Sequence, residues 1–132
     1  MSAQPAISVK APILLIEDEP SVIAFLRAAL ERRGYAVVHA SSGEEGLKQL
    51  LLGQYAGVIS DIRMPGAVNG AEVHEWIRKN RPELRSRVIL ISGDTANSET
   101  QAFLAQSGTP CIEKPFRVQQ LIAVVEKTFG RP

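Results

Sequence analysis

A single cysteine, Cys111, stands in a chain of 132 residues. It excludes an internal disulfide and suits a reducing compartment. No apolar stretch approaches the ~20 residues that a bilayer-spanning helix needs. The first residues lack a charged-then-apolar leader pattern, so 1–11 are expected to form a short disordered lead-in. A surplus of charge is missing too: 15 basic against 14 acidic residues, net +1, give no long-range attraction for nucleic acid or anionic lipid. Arg78, Lys79, Arg81, Arg85 and Arg87 do crowd together, but Glu75 and Glu83 interrupt them, as in a solvated helix end and loop. There is no internal repeat, low-complexity tract or interdomain linker. These absences describe one soluble, cytoplasmic domain over 12–130, and 45% hydrophobic content is enough for a real core.

What is present is an alternation of apolar runs with helical patterns, which predicts βα units and a doubly wound parallel sheet of five strands and five helices. The strands are expected at Ile13 to Ile16, Tyr35 to His39, Gly57 to Ser60, Arg87 to Ile91 and Cys111 to Glu113. The first helix opens at Pro20-Ser21, with Val22, Phe25, Leu26, Ala29 and Leu30 on its apolar side, and Gly34 stops it. The second starts at Ser41-Ser42-Gly43 and carries Leu47, Leu50 and Leu51. The third runs from about Gly70 to Asn80 and turns Val73, Trp76 and Ile77 inward. A weaker helix covers Thr95 to Gln106, with Ala102, Phe103 and Leu104. The last, Val118 to Phe129, buries Leu121, Ile122, Val125 and Phe129.

Ligands of such sheets bind beyond the carboxyl ends of the strands. There the chain places Glu17-Asp18-Glu19, then Asp61, then Ser92-Gly93-Asp94, then Lys114. Each has an ordinary explanation taken singly. Asp18 or Glu19 can cap a helix, Asp61 can form a turn before Met64-Pro65, and Ser92, Asp94 and Lys114 can be surface polars. Together they fit that account poorly, because Glu17, Asp18 and Asp61 on neighbouring strands repel one another. A bound cation resolves the repulsion, and oxygen-only ligands favour Mg²⁺ over zinc. Neither His39 nor His74 falls at that edge, and both read as structural or exposed. A carboxylate beside Mg²⁺, an ammonium and a hydroxyl is a phosphoryl-transfer site in outline, with Asp61 as the best nucleophile.

Four segments carry a family resemblance: Ile13-Leu14-Leu15-Ile16-Glu17-Asp18-Glu19-Pro20, Asp61-Ile62-Arg63-Met64-Pro65, Ile91-Ser92-Gly93 and Lys114-Pro115-Phe116. In this order and spacing the chain resembles a response-regulator receiver domain, from about Pro12 to Phe129. The resemblance implies a flavodoxin-like sheet with strand order 2-1-3-4-5. It implies that Asp61 takes a phosphoryl group from the phosphohistidine of a histidine kinase or a histidine phosphotransfer protein. It implies Mg²⁺ held by Asp18, Asp61 and the Arg63 carbonyl, with Glu17 acting mainly through water. Lys114 would pair with the acids and then the phosphoryl group. Ser92, beside Gly93, would swing to a phosphoryl oxygen and carry the signal into the loop and helix that follow. A cis Lys114–Pro115 bond is implied as well, with Met64, Asp94 and Pro115 at the pocket rim.

The chain departs from the family pattern in three places. Glu17 stands where aspartate is common. The stretch from Asp61 to Gly70 is one residue longer, so the loop over residues 66–69 should bulge. Cys111 stands where many receivers place an aromatic that rotates with the hydroxyl, so the readout is expected to rest on the segment from Ser92 to Thr100. Arg63 and Asp94, each two residues past a site residue, are expected to pair across the pocket mouth and screen the acyl phosphate. A flavin-binding flavodoxin is disfavoured because Glu17-Asp18-Glu19 repels phosphate. A metal-dependent phosphatase wants an acid where Arg63 stands. The alternative of another class is a pseudo-receiver that only binds partners, and a receiver segment of a hybrid histidine kinase is a further reading. The final helix is poor in patterned charge, so a monomer or weak homodimer is expected, with Val124 beside Leu121 as a possible docking patch for an unknown downstream protein.

Overall fold

The computed structural model describes residues 11–132 except 64, 65, 67, 94 and 95. Met64, Asp94 and the lead-in over 1–10 therefore lie outside the described residues, and with Asp94 the expected pairing with Arg63. The elements follow in strict alternation: β1 (Ile13–Ile16), α1 (Pro20–Arg32), β2 (Val37–Ala40), α2 (Gly43–Leu52), β3 (Gly57–Asp61), α3 (Gly70–Asn80), β4 (Val88–Ser92), α4 (Ser98–Ser107), β5 (Cys111–Glu113) and α5 (Val118–Phe129). A short 3-10 turn, Pro82–Leu84, precedes β4. All strands are parallel, in the order β2-β1-β3-β4-β5. This is the flavodoxin-like doubly wound sheet that the motifs implied.

Alternation along each strand sends neighbouring side chains to opposite faces. Ile13, Leu15, Ile59, Ile89 and Ile91 pack with Leu26, Leu30, Leu121, Val125 and Phe129 of α1 and α5. Leu14, Ile16, Val58 and Leu90 pack on the other face with Leu50, Val73 and Ile77 of α2 and α3, joined by Phe103 and Leu104 of α4. Each fully buried Leu or Ile contributes about 1.5–3 kcal/mol. The three central strands β1, β3 and β4 need no amphipathic pattern because both faces are covered, whereas the edge strands β2 and β5 carry half-buried or exposed residues.

The helices are not held equally. α5 buries Leu121, Val125 and Phe129, whereas α4 buries only Thr100 and leaves Phe103 and Leu104 half-buried. An element with few buried apolar contacts opens at lower free energy than its neighbours. The α4 helix is the next element after β4 in the chain, so the thinly buried helix follows the strand that ends at Ser92. Leu121 is fully buried and Val124 packs partly buried against the same core, so the docking patch expected there does not form. Phe25, expected on the inner side of α1, is 39% exposed and leans on Phe116 with ring centroids 5.7 Å apart. No helix among the described residues is long and apolar enough to cross a membrane.

Candidate functional site

The end of β1 delivers Glu17 with its side chain fully buried. Its Oε2 accepts the backbone N–H groups of Asp18 at 3.2 Å and Glu19 at 3.1 Å, which fixes the carboxylate. Its Oε1 is buried without a hydrogen-bond partner. Burial, reinforced by the charge of Asp61, pushes this carboxyl up from the ordinary 4.5 to about 7, against the pull of the backbone N–H groups and Lys114. On the next strand, His39 Nε2 lies 2.9 Å from the Glu17 backbone oxygen, a structural contact outside the pocket.

Asp61 is the final residue of β3 and is 5% exposed. Its Oδ1 accepts the Arg63 backbone N–H at 3.2 Å and its Oδ2 accepts from Lys114 Nζ at 2.9 Å. The turn beyond it is held shut by Gly70, whose N–H bonds the Ile62 carbonyl at 2.9 Å. A Cβ at Gly70 would collide with the Asp61 carbonyl oxygen and crowd the Ile62 Cα, so only glycine lets α3 start this close. Asn69 then caps the helix, its side chain accepting the Glu72 N–H while Glu72 returns a bond to the Asn69 N–H.

Lys114 follows β5, and its backbone N–H bonds the Ser92 carbonyl at 2.8 Å, tying the lysine to the end of β4. Its ammonium meets Asp61 at 2.9 Å, Glu19 at 3.2 Å and Glu17 at 3.6 Å. Burial works against its charge, but the hydrogen bond and the charge of Asp61, aided by Glu17 and Glu19, prevail and hold it above the usual lysine range. Ser92 closes β4 in register with Glu113 and is buried, while Gly93 and Pro115 are exposed at the rim. The Lys114–Pro115 peptide bond is cis.

One member of the acidic group was not singled out in the sequence. Carboxylate oxygens of Glu17, Glu19 and Asp61 all lie within 4.8 Å of one another, whereas half-buried Asp18 is outside that trio. The reason is local: residues two apart in an extended chain share a side, and Glu19 is extended (φ −86°, ψ 118°). The sequence signal was there, in the third acid of Glu17-Asp18-Glu19, but it reads equally well as a helix cap. Arg63 is exposed and contributes its backbone N–H to the pocket. Cys111 is half-buried against the cluster that holds Phe103 and Leu104, and burial pushes its thiol up.

Comparison with known proteins gives the same picture. In Bacillus subtilis the transcriptional regulatory protein YkoG is 32% identical over 114 residues, which cover 86% of this chain and 49% of that protein. The response regulator ArlR of Staphylococcus saprophyticus is 29% identical over 119 residues, 90% of this chain and 52% of ArlR. The chain thus spans about half the length of the curated relatives it matches. Among solved structures, the response regulator TrrA of Thermotoga maritima, in complex with Mg²⁺ and BeF, is 34% identical with a TM-score of 0.77, covering 89% of this chain and 98% of that one. A receiver domain of a signal transduction histidine kinase from Syntrophus aciditrophicus is 29% identical with a TM-score of 0.80, covering 90% and 89%. The pattern of the response regulator receiver domain matches residues 13–126, nearly the whole chain, and the chain belongs to that family.

Proposed function

We propose that the chain is a phosphorelay receiver in which Asp61 takes a phosphoryl group from the phosphohistidine of a histidine kinase or a histidine phosphotransfer protein. The observation that carries this reading is the Asp61 carboxylate, buried at a strand end and held on one oxygen by Lys114 Nζ at 2.9 Å. An Asp61 oxygen attacks phosphorus, the P–N bond breaks, and its electron pair leaves on the imidazole nitrogen. Lys114 is in place to neutralise charge gathering on the phosphoryl oxygens.

The acids fit a divalent cation. Glu17 Oε1 is fully buried and has no hydrogen bond, meeting Lys114 Nζ only as an ion pair at 3.6 Å, and a carboxylate oxygen of Glu17 converges with oxygens of Glu19 and Asp61. An oxygen-only set of this kind suits Mg²⁺, with Glu17, Asp61, Asp18 and the Arg63 carbonyl as the proposed ligands and Glu19 beside them. Bound there, Mg²⁺ would supply positive charge to the transferring phosphoryl group. The domain is then a phosphoacceptor that promotes its own phosphorylation and dephosphorylation.

Readout is proposed to pass from Ser92 into α4. The thin burial of α4 supports this, as does the half-buried Cys111 where a larger ring would otherwise pack. The response would act on a protein target from a cytoplasmic monomer or weak homodimer, without direct contact to nucleic acid. Incubation with acetyl phosphate and Mg²⁺, followed by intact mass, tests the reading: one phosphoryl group should appear and should be lost in Asp61→Ala. A pseudo-receiver would take up none.

A further inference from the structure

Glu19 occupies the N-cap position of α1, yet its side chain makes no cap hydrogen bond. Its carboxylate instead reaches Lys114 Nζ, 95 residues along the chain, at 3.2 Å. One ammonium is thereby divided among three carboxylates. They differ in exposure: the Glu17 and Asp61 side chains are 0% and 8% exposed, that of Glu19 58%. Glu19 is therefore the solvent-facing member of the acidic trio around Asp61. It also holds the cation that the phosphoryl group needs.

We propose that Glu19 is a positioning residue for Lys114 and a charge barrier at the mouth of the Asp61 pocket, so that it slows phosphoryl uptake from small anionic donors. The rate half of this inference rests on the reading of Asp61 as phosphoacceptor. With acetyl phosphate the chemistry is unchanged by Glu19. An Asp61 oxygen bonds to phosphorus, the donor's P–O bond breaks, and its electron pair leaves on acetate. Two costs precede that step. Lys114 must give up its contact with Glu19 to meet phosphoryl oxygens, and the donor's negative charge must approach a carboxylate within 4.8 Å of the nucleophile. In a water-like dielectric, one unit charge at that distance changes a rate by about fourfold.

The test compares wild type, Glu19→Gln and Glu19→Asp with acetyl phosphate and saturating Mg²⁺, at low salt and near 1 M salt, read by intact mass. Glu19→Gln should be phosphorylated about fourfold faster at low salt. The gap should close at high salt, where screening acts within about 3 Å. Glu19→Asp, which restores the charge, should return the rate toward wild type. A Glu19→Gln rate no faster than wild type, or a gap indifferent to salt, overturns the charge barrier. The positioning half is read separately, from the Lys114 side-chain NMR signals of the metal-free protein. They should move in Glu19→Gln, and unmoved signals overturn it. If the signals move but wild type takes up no phosphoryl group, the phosphoacceptor reading and the barrier fall, while the positioning of Lys114 by Glu19 stands.

Discussion

Replacing Glu17 by glutamine should stabilise the metal-free protein, in a way that depends on pH. Glu17 is fully buried, and one of its oxygens has no hydrogen-bond partner. Its pKa rises from 4.5 in an ordinary setting to about 7 in the fold. The native state therefore binds this proton more tightly than the unfolded chain does. Between those two pH values the native state carries more protons, so stability falls as pH rises. Each pKa unit is worth about 1.4 kcal/mol, which sets a ceiling of ~3.5 kcal/mol. With nearby Lys114 able to adjust, about 1–3 kcal/mol is expected. Glutamine keeps the shape and an acceptor for the Asp18 and Glu19 N–H groups, but carries no charge. Urea unfolding of both proteins in chelator, at pH 4 and pH 8, isolates the term because all other groups are shared. The two should be nearly equal at pH 4, where Glu17 is protonated. Glu17→Gln should lead by about 1–3 kcal/mol at pH 8, and Mg²⁺ should narrow that lead by stabilising wild type more. A difference that stays the same at both pH values, or a less stable Glu17→Gln at pH 8, refutes the reasoning.

Other outcomes follow from the same geometry. Gly70→Ala drives a methyl into the Asp61 carbonyl, so it should cost about 1–3 kcal/mol by thermal melting and also slow phosphoryl uptake. Leu90→Ala empties a fully buried site between β3 and β5 and should cost about 2–5 kcal/mol, whereas Leu52→Ala, at a side chain 81% exposed, should change stability by less than about 0.5 kcal/mol. Cys111 should alkylate slowly in the folded protein near neutral pH and rapidly in denaturant, because burial disfavours its thiolate. Rapid labelling of the folded protein would contradict that placement.

Much of the fold was legible because its strongest signals are local. The bounds of α3 and α5 fall where the apolar spacing placed them, and the βα alternation compelled a parallel sheet. The boundaries that moved are those set by pairing. β2 begins at Val37, opposite Ile13, although the β-rich run starts at Tyr35, whose hydroxyl instead donates to the Gly130 carbonyl at 2.6 Å. β3 extends through Asp61 because Ile91 pairs with it. In α3 Trp76 packs half-buried against the core as expected, but His74 is buried more deeply, bonded to the Thr109 hydroxyl at 2.8 Å and set edge-on to Phe103. In α2, Leu51 points to solvent while Leu50 fills the core, a difference of one position that periodicity alone does not resolve. At the site, the sequence placed Glu17, Asp61, Ser92 and Lys114 on one edge. It did not show that Glu19 joins Glu17 and Asp61, because that depends on which way the side chain leaves an extended backbone.

The most direct test of the central claim is the intact mass of the protein after acetyl phosphate and Mg²⁺, beside that of Asp61→Ala. One phosphoryl group on wild type and none on the variant is the predicted result. A wild-type mass that does not change, or a phosphoryl group that persists in Asp61→Ala, would contradict the assignment of Asp61 as the phosphoacceptor.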